Sequence, residues 1–181
     1  MHFYSRRSEY GHRLDQFLSK ANQSIEVFTT SLFPSKPPAE WEEMLDEKLS
    51  SNPAFFFRAC LLNPTLDALR RFSQTFAEDS DLLAGRIDDS NKRILRLQAR
   101  YGPMRVRLSW HDGIPTHSIY ALDGDTAGGA VHIETRLAME PKSEAIGFRM
   151  FPGTEMYSRS LKSCRGLLDR SEQTSAISRA R

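Results

Sequence analysis

Residues 24–33, SIEVFTTSLF, and residues 54–64, AFFFRACLLNP, are two apolar segments that decide the fold of this chain. The first is rich in β-branched and aromatic residues, and the second is the most apolar run in the chain. Between them, residues 39–51, AEWEEMLDEKLSS, place apolar side chains at helical spacing. A helix between two strands is typical of a βαβ unit, whose strands are parallel. We therefore predict an α/β fold.

Working outward, further helices and strands are predicted on both sides of this unit. Helical spacing predicts further helices over residues 5–21, 65–78, 81–100 and 154–168, the last capped by Thr154. For the helix over 81–100, the predicted buried side chains are Leu83, Ile87, Ile94, Leu95 and Leu97. Short strands are predicted over residues 104–110, 117–122, 130–137 and 146–151.

These elements predict one mixed sheet flanked by helices. We expect its members to include residues 24–31, 54–62, 104–110 and 117–122, with the first two strands parallel neighbours. Residues 65–100 would form a helical insertion. With 181 residues, 39% of them hydrophobic, the chain has the size and composition of one globular domain. We assign residues 1–170 to that domain and predict that residues 171–181 form a mobile tail.

The charge balance gives no broad electrostatic field. Lys and Arg total 25 against 23 Asp and Glu, so composition alone does not indicate a nucleic-acid binder, and that partner class stays open. The positive charges near the C-terminus are interpreted as a solvated helix face and tail: Arg159, Lys162, Arg165, Arg170, Arg179 and Arg181. No apolar leader or membrane-spanning stretch is visible, so we expect a cytoplasmic protein without membrane contact.

Neither a metal site nor a cofactor site is predicted. Cys60 and Cys164 lie in unlike surroundings with no metal-ligand spacing near them. His132 and Glu134 alternate along one strand, but two groups without a third do not make a metal site. The chain also lacks the glycine-rich nucleotide-binding motifs and the nucleophile-elbow motif.

The segment most suggestive of a site is residues 113–134, GIPTHSIYALDGDTAGGAVHIE. It places histidines, Asp, Ser and Tyr on two adjacent strands and their connecting loop, and α/β sheets hold ligands at strand ends. The alternative is a plain hairpin, with Asp123 and Gly124 in the turn and the histidines structural.

The order of these segments resembles a known family. The succession SIEVFTTSL, helix, FRACLLNP, helical insertion, MRVRL and PTHSIYALDGD is similar to the phospholipase D-like domain attached to many bacterial helix-turn-helix regulators. In that family a leucine-rich strand precedes a Pro, and a later Ser-hydrophobic-Tyr-x-x-Asp stretch follows a Pro. The corresponding residues are Leu61, Leu62, Asn63 and Pro64, then Pro115, Ser118, Ile119, Tyr120 and Asp123.

The resemblance implies a phospholipase D-like sheet with a degenerate catalytic motif. Active members carry His-x-Lys-x4-Asp, in which His attacks phosphorus and Lys neutralises the phosphate oxygens. Aligned on His117, the motif places Ile119 at the Lys position and Gly124 at the Asp position. An apolar Ile cannot replace a cation, so hydrolysis is expected to be lost while a pocket persists. The residues predicted to bind a ligand are Thr30, Ser31, Asn63, His117, Ser118, Tyr120, Asp123 and His132.

Three functions remain open at this point. The first is a non-catalytic domain that senses a small phosphate-containing or nucleotide-like ligand and regulates through a partner protein or a homodimer, since the chain shows no helix-turn-helix segment. The second is a phosphodiesterase or nuclease in which His117 attacks within a homodimeric site, aided by His132 of a second copy and by Arg105, Arg107 or Arg136. The third is a structural protein-interaction module.

Overall fold

A computed structural model of the chain describes residues 1–9, 11–32, 38–76, 78–113, 116–136 and 144–179. Within these ranges the strands are β1 (His2–Tyr4), β2 (Ser24–Phe28), β3 (Phe56–Leu62), β4 (Val106–His111), β5 (His117–Leu122), β6 (Ala130–Thr135) and β7 (Ile146–Met150). The α-helices are α1 (Gly11–Leu18), α2 (Pro38–Ser51), α3 (Leu66–Phe76), α4 (Ser80–Tyr101) and α5 (Glu155–Arg179). A short 3₁₀ helix covers Arg7–Glu9. Pro115, which belongs to the family-like stretch, lies outside the described residues.

The strands form one mixed sheet in the order β1-β7-β6-β5-β2-β3-β4. Strands β2, β3 and β4 are parallel, and β5, β6, β7 and β1 continue the sheet by antiparallel pairing. Ile25 pairs with Phe57 in the β2–β3 ladder, so the predicted parallel neighbours are confirmed. The α/β class and the mixed sheet flanked by helices are confirmed with them.

One face of the sheet is covered by α1, α2 and α4, and we call it the closed face. Side chains from alternate positions of the strands, such as Val27, Ala59 and Tyr120, pack there with Trp41 of α2 and Ile94 of α4. This alternation follows from the pleat, which sends successive side chains to opposite faces. The apolar stripes of these helices therefore pack against the apolar side chains that the strands place on this face.

The segment predicted as a helical insertion forms the connection between β3 and β4. Helix α3 packs against the start of α4 in a separate apolar cluster that includes Phe72, Leu83 and Ile87. The predicted burial of Leu83, Ile87, Ile94 and Leu97 on α4 is confirmed. The prediction for Leu95 is wrong, because this side chain is 43% exposed. It follows Ile94 directly, and a step of about 100° around the helix turns it away from the buried stripe.

Among the described residues, helix α5 is the element that covers the opposite face of the sheet, and we call it the α5 face. Phe28, Ile119 and Val131 pack there against Leu161 and Leu168 of the helix. The amide of Tyr157 donates to Thr154 Oγ1 at 3.2 Å, as expected for the predicted cap.

Helix α5 continues well past its predicted end near Leu168. Its last part makes specific contacts, since Ser171 is buried and Glu172 accepts from Arg58 Nε at 2.5 Å. The helix therefore continues into the segment for which a mobile tail is predicted, as far as Arg179, and the mobility of that segment stays a prediction. Residues 180 and 181 of that tail lie outside the described residues.

Two arginines fix α5 to the sheet. Arg58 of β3 donates to Asp169 and Glu172, and Arg165 of α5 donates to the buried Glu26 of β2 at 2.9 Å and to Asp125 at 2.8 Å. Sequence patterns did not indicate these pairs, because the partners are far apart in the chain.

The N-terminal segment also differs from its prediction. The helix predicted over residues 5–21 covers Gly11–Leu18, and His2–Tyr4 forms an unpredicted edge strand against β7. Three residues are too short a run to show a strand period.

Candidate ligand site

The carboxyl ends of the parallel strands meet at one edge of the sheet. Strand β2 ends at Phe28, β3 at Leu62 and β4 at His111, while β5 runs the other way and begins at this edge with His117. In open α/β sheets, ligands bind in the crevice outside the carboxyl ends of the strands. The topology therefore brings the start of the family-like segment to the edge where a site is expected.

A cleft of about 620 Å³ lies at this edge, between the α5 face of the sheet and helix α5. We call it the α5 cleft. Apolar side chains line its interior: Phe28 of β2, Ile119 of β5, Ile133 of β6 and Leu167 of α5. Ile119 and Ile133 are paired across the β5–β6 ladder, so they form a continuous patch. The cleft can therefore accept an apolar or planar group.

Cationic and hydroxyl side chains surround this patch. His117 is exposed, and its Nδ1 lies 2.6 Å from Thr116 Oγ1. Helix α5 contributes Arg159 and Arg170, both exposed, together with Ser160, Ser163 and Ser171. No carboxylate of a described residue lines the cleft. The guanidinium groups can therefore attract an anionic ligand, and these lining residues add no opposing negative charge.

His111 forms one wall of the α5 cleft. Its ring stacks on Phe28 with centroids 4.5 Å apart and an interplanar angle of 29°. Its Nδ1 lies 3.1 Å from the Gly113 carbonyl oxygen and its Nε2 lies 3.3 Å from that of Thr29. Burial lowers the pKa of His111, and the two carbonyl oxygens oppose that shift because they favour the doubly protonated ring. The stacked pair offers an aromatic surface to a planar ligand.

Of the eight predicted ligand-binding residues, His117 is the one that lines the α5 cleft. Thr30 and Ser31 follow β2 at the same edge but are buried. The backbone carbonyl of Thr30 accepts from the Leu62 amide at 3.2 Å. Asn63 follows β3, and its Nδ2 donates to Asp112 Oδ1 at 2.7 Å. These three residues shape the edge of the sheet beside the cleft.

Ser118, Tyr120 and His132 lie on the closed face, away from His117. Ser118 Oγ lies 2.9 Å from Thr29 Oγ1, and Tyr120 is cross-strand neighbour to His132. Burial raises the pKa of Tyr120. For His132, burial and the nearby charges of Arg149 and Arg7 lower the pKa to about 3, so this ring is neutral at physiological pH. Since it is 0% exposed, His132 cannot reach the site of a second copy.

Asp123 lies at the other end of β5. It lies six positions after His117, which corresponds to about 20 Å along an extended strand. Its carboxylate accepts hydrogen bonds of 2.7 to 2.8 Å from the amides of Asn22, Gln23 and Ser24, just before β2. The structure therefore does not bring His117, Tyr120 and Asp123 together in one pocket. Tyr120 points to the closed face, and Asp123 lies at the opposite end of the strand.

Sequence reasoning missed most of the cationic lining. The sequence pattern places Arg159 and Arg170 on a solvated helix face and gives no role to His111, which directly follows the strand predicted over residues 104–110. The available signal was helical spacing, since Arg159, Ser163, Leu167 and Arg170 recur on one side of α5. Nothing in the sequence showed that this side faces the strand edge.

Among the described residues, no group of three His, Cys, Asp or Glu side chains could hold a metal ion. None of the helices there is both long and apolar enough to traverse a bilayer. Comparisons with family models, curated proteins and solved structures found no match.

Proposed function

We propose that this domain binds a phosphate-bearing, nucleotide-like ligand in the α5 cleft without hydrolysing it, and that it regulates through a partner protein or a second copy of itself. The observation that carries this proposal is the lining of the α5 cleft. It combines an apolar patch with His117, Arg159 and Arg170 and contains no carboxylate from the described residues.

Each part of this lining suits a different part of a nucleotide. Guanidinium groups match phosphate geometry and donate charge-assisted hydrogen bonds to it. The stacked rings of Phe28 and His111 suit a planar base, since aromatic side chains stack on the π-face of any base. Exposed Ser163 can donate to phosphate or sugar oxygens. A purely apolar ligand would leave the arginines without a role.

The position of Ile119 argues for binding without hydrolysis. In the proposed phospholipase D-like interpretation, His117 takes the place of the nucleophile and Ile119 that of the Lys. Both residues line the α5 cleft, so the replaced position faces the ligand. Loss of one preorganised donor to a developing negative charge typically costs about 10²- to 10³-fold in rate. The cleft keeps the shape of a binding site while lacking that charge.

A second way to place the motif leads to the same conclusion. Asp123 and Gly124 form the turn after β5, and counting back from Asp123 places Thr116 at the His position and Ser118 at the Lys position. Thr116 has a hydroxyl group in place of an imidazole, and Ser118 faces Thr29 on the closed face. Neither placement contains the His and Lys pair on which the phospholipase D mechanism depends.

A phosphodiesterase that uses His117 is the second candidate. It is favoured by the exposure of His117 inside a cleft that also contains two arginines. The arginines proposed from sequence do not line this cleft: Arg105 donates to backbone carbonyls of Leu49, Asn52 and Phe55, and buried Arg136 donates to Glu78. Arg159 or Arg170 would have to supply the charge instead.

The test measures binding and hydrolysis on the same protein preparations. Wild type is titrated with adenosine and uridine 5′-monophosphates by calorimetry, beside His117→Ala and Arg170→Gln. Lys162→Gln is the matched control, because Lys162 is an exposed cation of α5 that does not line the cleft. We expect wild type and Lys162→Gln to bind alike, and the two cleft variants to bind about tenfold more weakly.

Hydrolysis is followed with bis(p-nitrophenyl) phosphate and with single-stranded DNA and RNA, with and without Mg²⁺. We expect no turnover by wild type. Cleavage that disappears in His117→Ala would replace the binding proposal with the phosphodiesterase. Absence of both binding and cleavage would contradict both candidates and leave the structural interaction module. Ile119→Lys adds a cation to the cleft, and we expect it to tighten nucleotide binding.

Regulation through a second copy has its own readout. If the domain regulates through self-association, sedimentation velocity should show a monomer-dimer equilibrium that changes when the nucleotide is added. If it regulates through another protein, the domain should be a monomer with and without the nucleotide. A dimer whose stability is unaffected by the nucleotide would contradict regulation through self-association.

A further inference from the structure

The shape and charge of the α5 cleft favour an elongated ligand over a single nucleotide. The lining residues of helix α5 all lie on one stripe of the helix that extends from Arg159 to Ser171. At a rise of 1.5 Å per residue, this stripe is about 18 Å long. The cleft is therefore a groove that follows the helix axis.

The two arginines of α5 that line this groove lie at its two ends. Eleven residues separate Arg159 from Arg170, which is close to three full turns, so both lie on the same side of the helix about 16 Å apart. Long side chains on a helix generally lean toward its N-terminus, and this tendency applies to both arginines alike. The lean is visible at Arg159, whose Nη2 lies 2.6 Å from Oε1 of Glu155, one turn earlier. The spacing therefore suits two phosphate groups, one at each arginine, better than a single phosphate shared by both.

Both arginines are available to a ligand. The Arg159–Glu155 pair is fully at the surface, with both side chains 77% exposed, and such pairs contribute little and open readily. Arg170 is exposed and forms no ion pair with any described residue. The surface between them carries Ser163 and Leu167 and faces the stacked rings of Phe28 and His111 across the cleft.

We infer that the ligand is a short single-stranded oligonucleotide, with one phosphate at each arginine and a base on the Phe28–His111 pair. This rests on the proposed function. Cations that track a backbone, combined with an aromatic surface for stacking, are the usual means of binding single strands without sequence preference. At the 3.4 Å per nucleotide of a B-form strand, 16 Å corresponds to about five nucleotides, and to fewer in a stretched strand.

The test is a length series of 5′-phosphorylated oligothymidylates with one, two, four and six nucleotides, measured by fluorescence anisotropy. Wild type should bind the hexamer at least about tenfold more tightly than the mononucleotide. Arg159→Gln and Arg170→Gln should each weaken hexamer binding about tenfold, with Lys162→Gln as the control. An abasic hexamer, which keeps the phosphates, should bind more weakly than the thymidylate.

Salt dependence provides an independent readout. Each phosphate contact with a single strand contributes about −0.7 to the slope of log affinity against log salt. We expect the slope for the hexamer to become less steep by about that amount in each arginine variant. Circular dichroism checks that each variant is folded, as expected for two exposed positions.

The outcomes separate this inference from the proposed function. A mononucleotide that binds as tightly as the hexamer, or an effect of Arg170→Gln without one of Arg159→Gln, overturns the oligonucleotide and leaves the nucleotide site in place. Failure of every length to bind overturns both.

Discussion

The closed face of the sheet and the α5 cleft carry similar polar side chains in opposite circumstances. On the closed face, Arg7 Nη1 donates to buried Glu134 Oε1 at 2.5 Å, and buried Arg136 Nη1 donates to Glu78 Oε2 at 3.0 Å. In the α5 cleft, His117 and Arg170 are exposed and no described carboxylate contacts them.

This difference shows which polar groups stabilise the fold and which are available for binding. A charge removed from water must be paired within the protein, or its burial costs several kcal/mol. The closed-face groups meet that requirement through each other and through the rings of Phe72 and Phe76, which lie within 5.1 Å and 4.5 Å of the Arg136 guanidinium. Groups in the α5 cleft keep contact with water and can exchange it for a ligand.

The largest effect is expected where a charge enters the closed face. Ile94→Asp places a carboxylate in the main core, where the native side chain is 1% exposed, and should lower the free energy of unfolding by several kcal/mol. The matched control is Leu95→Asp, at the neighbouring position that is 43% exposed, with an expected change below about 1 kcal/mol. Urea unfolding measures both. Equal effects at the two positions would contradict the packing of α4.

The second largest effect is expected at Asp123, a residue predicted to bind ligand, where a substitution should lower stability without changing nucleotide binding. Asp123→Ala removes the acceptor of three backbone amides and should cost about 3 kcal/mol in unfolding free energy, while nucleotide affinity stays unchanged. Asp125→Ala is the control, because its carboxylate is 76% exposed and pairs with partly exposed Arg165. We expect it to cost less than about 1 kcal/mol. A loss of nucleotide affinity in folded Asp123→Ala would return this residue to the site.

His132 gives the closed face a dependence on pH. Its pKa is lowered to about 3 in the folded protein, against about 6.5 in the unfolded chain, so the unfolded chain takes up the proton first as the pH falls. Neutral His132 thus contributes its full stability above about pH 6.5 and loses it progressively toward pH 3. The stability gap between wild type and His132→Gln should narrow by up to about 1.4 kcal/mol per pH unit below pH 6. A constant gap between pH 7.5 and 4.5 in urea unfolding would contradict this account.

The parts of the fold that follow from local pattern could be predicted from the sequence. The parallel pair of β2 and β3 was predicted because apolar strands enclosed a helix with a clear period, and His117–Leu122 was predicted with its observed bounds. The sequence pattern does not predict the extension of α5 to Arg179, because the sequence has fewer apolar residues after Leu168. There, ion pairs such as Arg58–Glu172 hold the helix against the sheet in place of apolar contacts. Such pairs join residues that are distant in sequence and leave no local signal.

The candidate site was less predictable than the fold. The motif suggests that residues 117–123 form one functional group. In the structure, successive side chains of β5 point to opposite faces, so Ser118 and Tyr120 lie on the closed face, and the strand is long enough to place Asp123 at the far edge of the sheet. The residues that complete the α5 cleft belong to other elements, namely His111 of β4 and Arg159 and Arg170 of α5. Their assembly depends on where α5 lies, which no motif of the sequence specifies.

The smallest effect on stability is expected in the α5 cleft itself. His117→Ala removes an exposed side chain that contacts the neighbouring Thr116, and it should change the free energy of unfolding by less than about 0.5 kcal/mol. The same variant should weaken nucleotide binding. A loss of more than 1 kcal/mol in urea unfolding would show that His117 is structural, like the polar groups of the closed face.

Methyl NMR tests most directly whether the ligand binds on the α5 face. Isoleucine δ1-methyl groups report on both faces, since Ile119 and Ile133 line the α5 cleft while Ile25 and Ile94 lie in the closed-face core. Titration of methyl-labelled protein with uridine 5′-monophosphate should shift the signals of Ile119 and Ile133 and leave those of Ile25 and Ile94 in place. Shifts confined to Ile25 and Ile94, or no shift at saturating nucleotide, would contradict the α5 cleft as the ligand site.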